Sequence, residues 1–466
     1  MRAKLIALTL AAAAASPAFA ADDIAALKAE FARLAERIAA LESHNQELEK
    51  ALSSERLSEQ EPELATRLKA NEFQTLAMQK QARQVKALEG ISVSANLLGT
   101  VQQVNDNGAA VDQNSRANYR GDLTVTLPGG EMDGMEGKIF TQLRFGQGNG
   151  VGLKPTYTST PNSGAFQTGA GPDDSFAILA QAWYQLAVPL PRDGIKANSR
   201  ERLNLTFGKI DPFMFFDQNA AADDESARFM NNVFVHNPLL DSGGDVGADA
   251  YGFAPGAILQ YVNEQQKGSE WGVSLGVFGA GPAANFNGSV AGRLVIAQAE
   301  TKAQINYLPG SYRAYVWNNN RSASYDPANT VVQSHSGFGL SVDQRVTDSL
   351  TLFTRYGQQM SGQVKFDRAV TLGAELAGNG WSRAADSLGF AIGALRTSAD
   401  FQNDSLAVTT PSYQADGWEK QAELYYRYKL NSKLEITPDW QLIQRPAGNG
   451  DAQTISVIGL RVKLSL

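Results

Sequence analysis

The sequence predicts an all-β protein, a transmembrane antiparallel β-barrel of about 16 strands preceded by a short N-terminal α-helical coiled coil. Two observations carry this prediction. Polar and apolar residues alternate with period two from Ile91 to the end of the chain, as expected for strands with one polar and one apolar face. Short turns also alternate with long loops between the predicted strands, which is typical of outer-membrane barrels.

Residues 1–20 read as a signal peptide. Arg2 and Lys4 precede an apolar run, and small residues stand at Ala18 and Ala20, the pattern of a cleaved secretory signal. The run is shorter than the roughly 20 apolar residues of a membrane-spanning helix. We therefore expect an exported chain whose contact with a membrane depends on strands.

Composition excludes several functions. Removal of Arg2 and Lys4 with the signal leaves 48 acidic residues against 39 basic ones, and an acidic chain is a poor partner for nucleic acid. Cysteine is absent, so disulfides, thiol nucleophiles and thiolate metal sites are excluded.

Residues 21–60 have a heptad pattern and are predicted to form a periplasmic coiled coil. It indicates a homo-oligomer assembled through residues 24–52, and the seam fits a trimer without excluding a dimer; the alternative is a single amphipathic helix lying on the barrel or the membrane. Residues 61–90, which include Pro62, are predicted as a helical linker. The a positions are Ile24, Phe31, Ile38, Asn45 and Leu52, and the d positions are Leu27, Leu34, Leu41 and Leu48.

Residues 91–466 are predicted to be the barrel domain. In the closing segment "ISVIGLRVKLSL", one face is apolar and the other carries Arg461 and Lys463. Short turns at "LPGS" (308–311), "VTDS" (346–349) and "LNSK" (430–433) follow even-numbered strands, which places these turns in the periplasm. A barrel of this size is wide enough to leave an aqueous channel.

The long stretch at 210–250 is predicted to fold into the lumen and narrow it. Forty residues without a strand are more than an ordinary connection needs. Asp223 and Asp224 are expected to begin a short helix that runs through Asn232. Apolar residues such as Phe216, Phe229 and Phe234 supply a face that can pack on the barrel wall. The alternative is an outer loop packed over the rim.

The residues of this stretch resemble the carbohydrate-selective porins of Gram-negative outer membranes. The similarity rests on "GKIDPFMFFDQNAAADDESARFMNNVFVHNP" (208–238) and on "ELYYRYKLNSKLEITPDWQLIQRPAGN" (423–449). The resemblance implies a sixteen-stranded channel in the outer membrane, with a sugar-preferring constriction formed by in-folded loops and lumen arginines. It also implies passive diffusion of small solutes and no cofactor.

Sugars present hydroxyl groups and apolar ring faces, so a selective passage needs polar side chains that bind hydroxyl pairs, together with aromatic rings. Alternation and the loop position select the following pore-lining or solute-contacting candidates: Arg144, Lys209, Asp217, Asn219, Asp224, Glu225, Asn232, Arg355, Glu423, Tyr425, Arg427, Asp439, Arg461 and Lys463.

Other functions remain open on the sequence. A structural protein that tethers the membrane to the cell wall through its coiled coil, and a channel for another ligand such as a siderophore, are the alternatives. An enzyme is disfavoured: His335 has Ser334 and Ser336 beside it, and adjacent strand residues point to opposite faces. No metal site is predicted, although a Ca²⁺ ion in "DSGGDVGADA" (241–250) stays open.

Overall fold

A computed structural model describes residues 90–105, 114–153, 160–166, 174–190, 199–240, 245–246, 248–287, 291–326 and 328–466, with isolated positions between 33 and 44. The barrel unit is Ser92–Leu466. In this part of the chain, sixteen antiparallel strands close into a barrel, each paired with its neighbours in sequence and β1 with β16. The predicted fold class is confirmed.

The strands are β1 (Ser92–Val104), β2 (Ser115–Met132), β3 (Met135–Gln147), β4 (Phe176–Leu190), β5 (Glu201–Ile210), β6 (Ala254–Asn263), β7 (Trp271–Gly279), β8 (Arg293–Ile305), β9 (Leu308–Ser322), β10 (Gln333–Arg345), β11 (Leu350–Ser361), β12 (Phe366–Gly378), β13 (Arg383–Thr397), β14 (Trp418–Lys429), β15 (Leu434–Gln444) and β16 (Ile455–Ser465). Two helices lie in loops, α1 (Asn232–Val235) and α2 (Ala399–Val408).

Period-two alternation sets the two faces of the wall. On β16 the outward Ile458 and Leu460 are 64% and 45% exposed, whereas the inward Arg461 is buried. Apolar side chains on the outer face suit contact with acyl chains, and polar ones remain inside.

Two tight turns have the backbone that a hairpin of two residues needs. Asp133 and Gly134 have φ of 51° and 74°, and Asn306 and Tyr307 have 52° and 64°, values typical of a type I′ turn that matches the twist of the strands. The predicted turn at 308–311 is therefore wrong: Leu308 already pairs with Ile305 as the first residue of β9. Gly310 in the sequence suggested a turn at 308–311, but the turn is formed by Asn306 and Tyr307, just before Leu308.

Glycines on the inner wall make room for large aromatic residues. Tyr425 lies directly across from Gly389, and a Cβ added to that glycine would come within 2.2 Å of the Tyr425 ring. The same cross-strand arrangement recurs at Gly337 with Trp317, Gly339 with Tyr315, Gly373 with Phe353 and Gly256 with Phe278. These rings form the surface against which a loop packs inside the barrel.

Near the N-terminus the described positions are helical and exposed: Arg33, Glu36, Arg37, Ala39, Ala40, Ser43 and His44. The nine a and d positions of the predicted seam, the predicted signal at 1–20 and, apart from Gly90, the predicted linker at 61–90 lie outside the described residues.

Among the described residues, no helix has the length and apolar content required to cross a bilayer.

Candidate functional site

The described residues between β5 and β6, which are 211–240, 245–246 and 248–253 (the constriction loop), lie inside the barrel. Its residues bind inward side chains on strands far around the wall, including Tyr315 on β9, Arg355 on β11 and Arg461 on β16. A loop that reaches these strands from β5 must cross the lumen. The predicted in-folding of this loop is confirmed.

Asp217 forms the first attachment of the loop to the wall. Its Oδ1 accepts hydrogen bonds from Arg355 Nε at 3.1 Å and Tyr315 Oη at 2.7 Å, and its Oδ2 accepts one from Asn237 N at 2.6 Å. Arg355 also donates to the carbonyl oxygens of Phe234 and Ala222. Both charged side chains are buried, and each is nearly saturated with partners, as a buried ion pair requires.

Glu423 on β14 forms the second attachment. Its two carboxylate oxygens accept the backbone N–H groups of Met230 at 2.5 Å and Asn231 at 3.0 Å. The Asn231 amide donates to Gln421 at 2.8 Å and to Gln441 at 3.2 Å. The wall thus presents a set of acceptors that fixes one turn of the loop.

Asp245 forms the third attachment, at the far end of the loop. It accepts from Trp317 Nε1 at 3.0 Å, Ser322 Oγ at 3.1 Å and Gln359 Nε2 at 2.5 Å, and its Oδ1 lies 2.6 Å from His335 Nδ1. This carboxylate draws together β9, β10 and β11. His335 therefore belongs to a structural cluster.

The helix of the loop begins later than predicted. Residues 223–231 are not helical, with a turn only at 225–227, and α1 starts at Asn232 with the Asn231 side chain as its N-cap. Asp224 instead closes a single turn by accepting from Ser226 N at 2.9 Å. Glu423 binds the N–H groups immediately before α1, and this tertiary contact is invisible in local sequence.

The side of the loop that carries Glu225 and Asp249, called here the free side, faces β2, β3 and the end of β5. Positive and negative side chains alternate between loop and wall on this side. Arg120 Nη2 lies 2.8 Å from Glu225 Oε1, and Arg120 Nε lies 3.0 Å from Asp122. Arg144 Nε binds the other oxygen of Asp122 at 2.6 Å. Lys209, at the end of β5, pairs with Asp249 at 3.1 Å. Positive wall and negative loop therefore meet at this side of the lumen.

Aromatic rings lie beside these charges. The guanidinium of Arg144 is 5.3 Å from the ring centroid of Phe253, and Lys209 Nζ is 5.7 Å from it. On the loop, His236 stacks on Phe213 at 3.8 Å. The narrowed region thus combines cations, carboxylates and ring faces.

Four carboxyl groups of the loop, Asp211, Asp223, Asp224 and Glu225, have shifted pKa values. Burial raises the pKa of Asp223 to about 7, against the opposing effects of His236 and Arg355. Burial likewise raises the pKa of Asp211 to about 6, with His236 opposing it. Burial alone would raise the pKa of Glu225 too, but its arginine neighbours outweigh that effect and lower it.

The structure divides the sequence-predicted candidates into two groups. The buried group consists of Asp217, Asn219, Arg355, Glu423, Tyr425, Asp439 and Arg461. All of these except Asp439, which binds Gln441 on its own strand, join the loop to the wall. The group with partly accessible side chains consists of Arg144, Lys209, Asp224, Glu225, Asn232, Arg427 and Lys463. Contact of either group with solute stays a prediction.

Sequence reasoning missed Arg120, Asp122, Asp211, Asp223 and His236. Alternation along β2 places Arg120 and Asp122 on the inner face and could have selected them. The role of the three loop residues depends on how the loop folds, which no periodicity reports.

Among the described residues, no group of three or more His, Cys, Asp or Glu side chains is arranged to hold a metal ion. Part of the stretch in which a Ca²⁺ site was left open, residues 241–244, lies outside them.

A closed barrel of sixteen strands with its own loop folded across the lumen defines the porin class of outer-membrane channels. The family model of carbohydrate-selective porins, the OprB family, matches residues 63–466. The chain belongs to this family, and it is a carbohydrate porin of the outer membrane. The family and the fold are those of channels.

One solved structure supports the fold, and two others are reported with it for comparison. The high-pH structure of Pseudomonas putida OprB is 18% identical, with a TM-score of 0.65 over 82% of this chain and 96% of that chain. The low-pH structure of the same protein is 17% identical, with a TM-score of 0.47 over 83% and 96%. A mutant Rh. blastica porin is 11% identical, with a TM-score of 0.47 over 81% and 100%. No curated protein matches the chain.

Proposed function

We propose that neutral carbohydrates are selected where the free side of the constriction loop faces β2–β5. The supporting observation is the juxtaposition of Arg120 and Arg144 on the wall with Glu225 on the loop. The partly accessible guanidinium of Arg144 and carboxylate of Glu225 provide a donor and an acceptor for adjacent hydroxyl groups. Phe253 and Phe213 are buried behind them, where they pack against Arg144 and His236.

Opposed charges also explain why a neutral solute is favoured. A lumen lined by one sign of charge would select ions of the opposite sign. Here Asp122 and Glu225 balance the charges of the arginines locally. The electric field in the lumen therefore orients the dipoles of a neutral solute and gives little preference for an ion of either sign. The remaining candidates line the approach to this point: Asp224, Asn232, Arg427 and Lys463.

Sugar-dependent block of ion current in planar bilayers tests this proposal. Arg144→Gln and Phe253→Leu are expected to weaken block by glucose while the channel still conducts. Arg202→Gln is the matched control, because Arg202 pairs with Glu264 at the opposite, periplasmic end of β5. Equal block in wild type and both lumen variants would reject the assignment, and block by a siderophore but no sugar would favour the other ligand.

We further propose that three copies assemble through residues 24–52, with this helix in the periplasm. The support is the heptad pattern, whose a and d positions are apolar except Asn45, since a single Asn commonly fixes register and oligomer state. Deletion of residues 24–52 is expected to abolish chemical crosslinking between the barrel domains of different copies. Envelope detachment with unchanged crosslinking would support a tether. No catalytic activity is proposed for the chain.

A further inference from the structure

The lipid-facing side of β12–β15 contains an apolar groove of about 380 Å³. Two small residues form its floor. Ala422 lies between Ile392 and Leu442 across the sheet, and Ala394 lies between Val370 and Lys420. The larger neighbours project outward: Leu372, Ile392 and Val370 are 50%, 44% and 39% exposed. The groove therefore has a floor of small residues and apolar walls.

One end of the groove is basic. Lys420 lines it, together with Gln444. One step further along the neighbouring strands, Arg368 pairs in register with Arg396, and Arg396 forms an ion pair with Asp367. Within the described residues, neither Lys420 nor Arg368 has a carboxylate partner. Three cations against one carboxylate leave two positive charges at this end.

This end lies at the outer surface of the membrane. β14 follows the long loop 398–417 and precedes the short turn 430–433, so its first residues are extracellular. Lys420 is the third residue of the strand, on the lipid-facing side between Trp418 and Ala422. A lysine or arginine on that face is strongly destabilising at the bilayer midplane and much less so near the interface. An anion there would favour the lysine further.

We propose that this groove binds one phosphorylated lipid of the outer leaflet, with an acyl chain over Ala394 and Ala422 and its phosphate on Lys420 and Arg368. The basic end of the groove is complementary to the phosphate, and its apolar part is complementary to the acyl chain. The basic end lies at the membrane interface and the apolar part lies deeper, as the orientation of a lipid in the outer leaflet requires. The site lies on the outside of the wall and is separate from the sugar passage.

A second groove on the outer face provides an internal control. It lies on β7–β10, encloses about 510 Å³ and is floored by Ala297 and Ala314. Its lining contains no Lys or Arg. A lipid held only by its acyl chain would bind this groove as well, whereas a phosphate-dependent lipid would prefer the groove with Lys420.

The test uses the full chain, delipidated in detergent, with diphosphoryl lipid A as the probe and native mass spectrometry as the readout. Lys420→Gln combined with Arg368→Gln should weaken binding about thirtyfold, given about 1 kcal/mol for each basic residue near an anionic lipid surface. Ala422→Leu, which fills the floor, should weaken it as well. Lys433→Gln in a periplasmic turn and Ala297→Leu in the second groove should leave it unchanged.

Glucose block of the channel should be the same in all four variants, which shows that each barrel is folded. The proposal fails if the double variant binds lipid A like wild type, or if Ala297→Leu removes as much binding as Ala422→Leu. It also fails if phosphatidylcholine or dephosphorylated lipid A binds as tightly as the diphosphoryl form.

Discussion

Arg355 on the barrel wall holds Asp217 of the constriction loop, with Nε 3.1 Å from Oδ1 and both side chains buried. The arginine also donates to the Asp217 carbonyl oxygen at 3.0 Å. Since the wall supplies the cation and the loop the carboxylate, this pair is a buried ionic contact among the three attachments that hold the loop in the lumen.

Asp217→Asn should loosen the loop and widen the channel. Breaking a buried ion pair on one side costs about 3 to 5 kcal/mol, because the remaining charge is left without its partner. We expect a larger and noisier single-channel conductance with a lower thermal midpoint. Arg202→Gln, which removes a partly exposed ion pair, should change neither; an unchanged conductance in Asp217→Asn would show that the loop is held by its other attachments.

Glu423→Gln should weaken the second attachment. The carboxylate accepts two backbone N–H groups with its two oxygens, whereas the amide offers one oxygen and places an NH₂ donor against the other N–H. An unpaired buried donor costs about 1 to 3 kcal/mol. Trypsin sensitivity at Arg228, next to this turn, should increase, and cleavage at wild-type rates would contradict the assigned role.

The ion selectivity of the channel should depend on pH. The pKa values of Asp223 and Asp211 are raised to about 7 and about 6, so acidification from pH 8 to pH 5 removes their negative charge. The reversal potential in a salt gradient should then move toward anion preference. For the same reason, these two groups make the folded state more stable as pH falls from about 7 toward about 4, since the folded state binds protons that the unfolded state does not.

Two variants assign this titration. Asp223→Asn should remove the part of the reversal-potential change that occurs near neutral pH. His236→Gln should move that portion to higher pH, since His236 lowers the Asp223 pKa. A selectivity that is independent of pH in wild type would refute the assignment.

Gly389→Ala should displace Tyr425 and destabilise the loop seat. The added methyl would lie 2.2 Å from the ring, and overpacking of this kind costs about 1 to 3 kcal/mol. Gly99→Ala on β1 is the control, since nothing lies within 4 Å of its Cβ position. The midpoint temperatures of thermal unfolding of the two variants should be compared. Equal midpoints would mean that the barrel wall accommodates the added methyl group without loss of stability.

The barrel could be predicted from sequence because its determinant is local: each strand carries its own alternation, and the long loops separate the strands. The inner face followed from the same pattern, which is why Arg144 and Arg355 were identified. The predictions that were wrong concern features that the local sequence pattern does not determine. The start of α1 is set by Glu423, almost two hundred residues away, and the turn at Asn306 by a backbone conformation that Tyr307 adopts without glycine.

The attachments of the constriction loop also imply an order of assembly. Asp217 binds partners 98 and 138 residues later in the chain, and Glu225 binds one 236 residues later. The loop therefore cannot dock until the last strands have paired. A folding intermediate with a closed barrel and an open, unobstructed lumen should precede the native channel. In refolding followed by hydrogen exchange, we expect the strand amides to become protected before the amide of Met230.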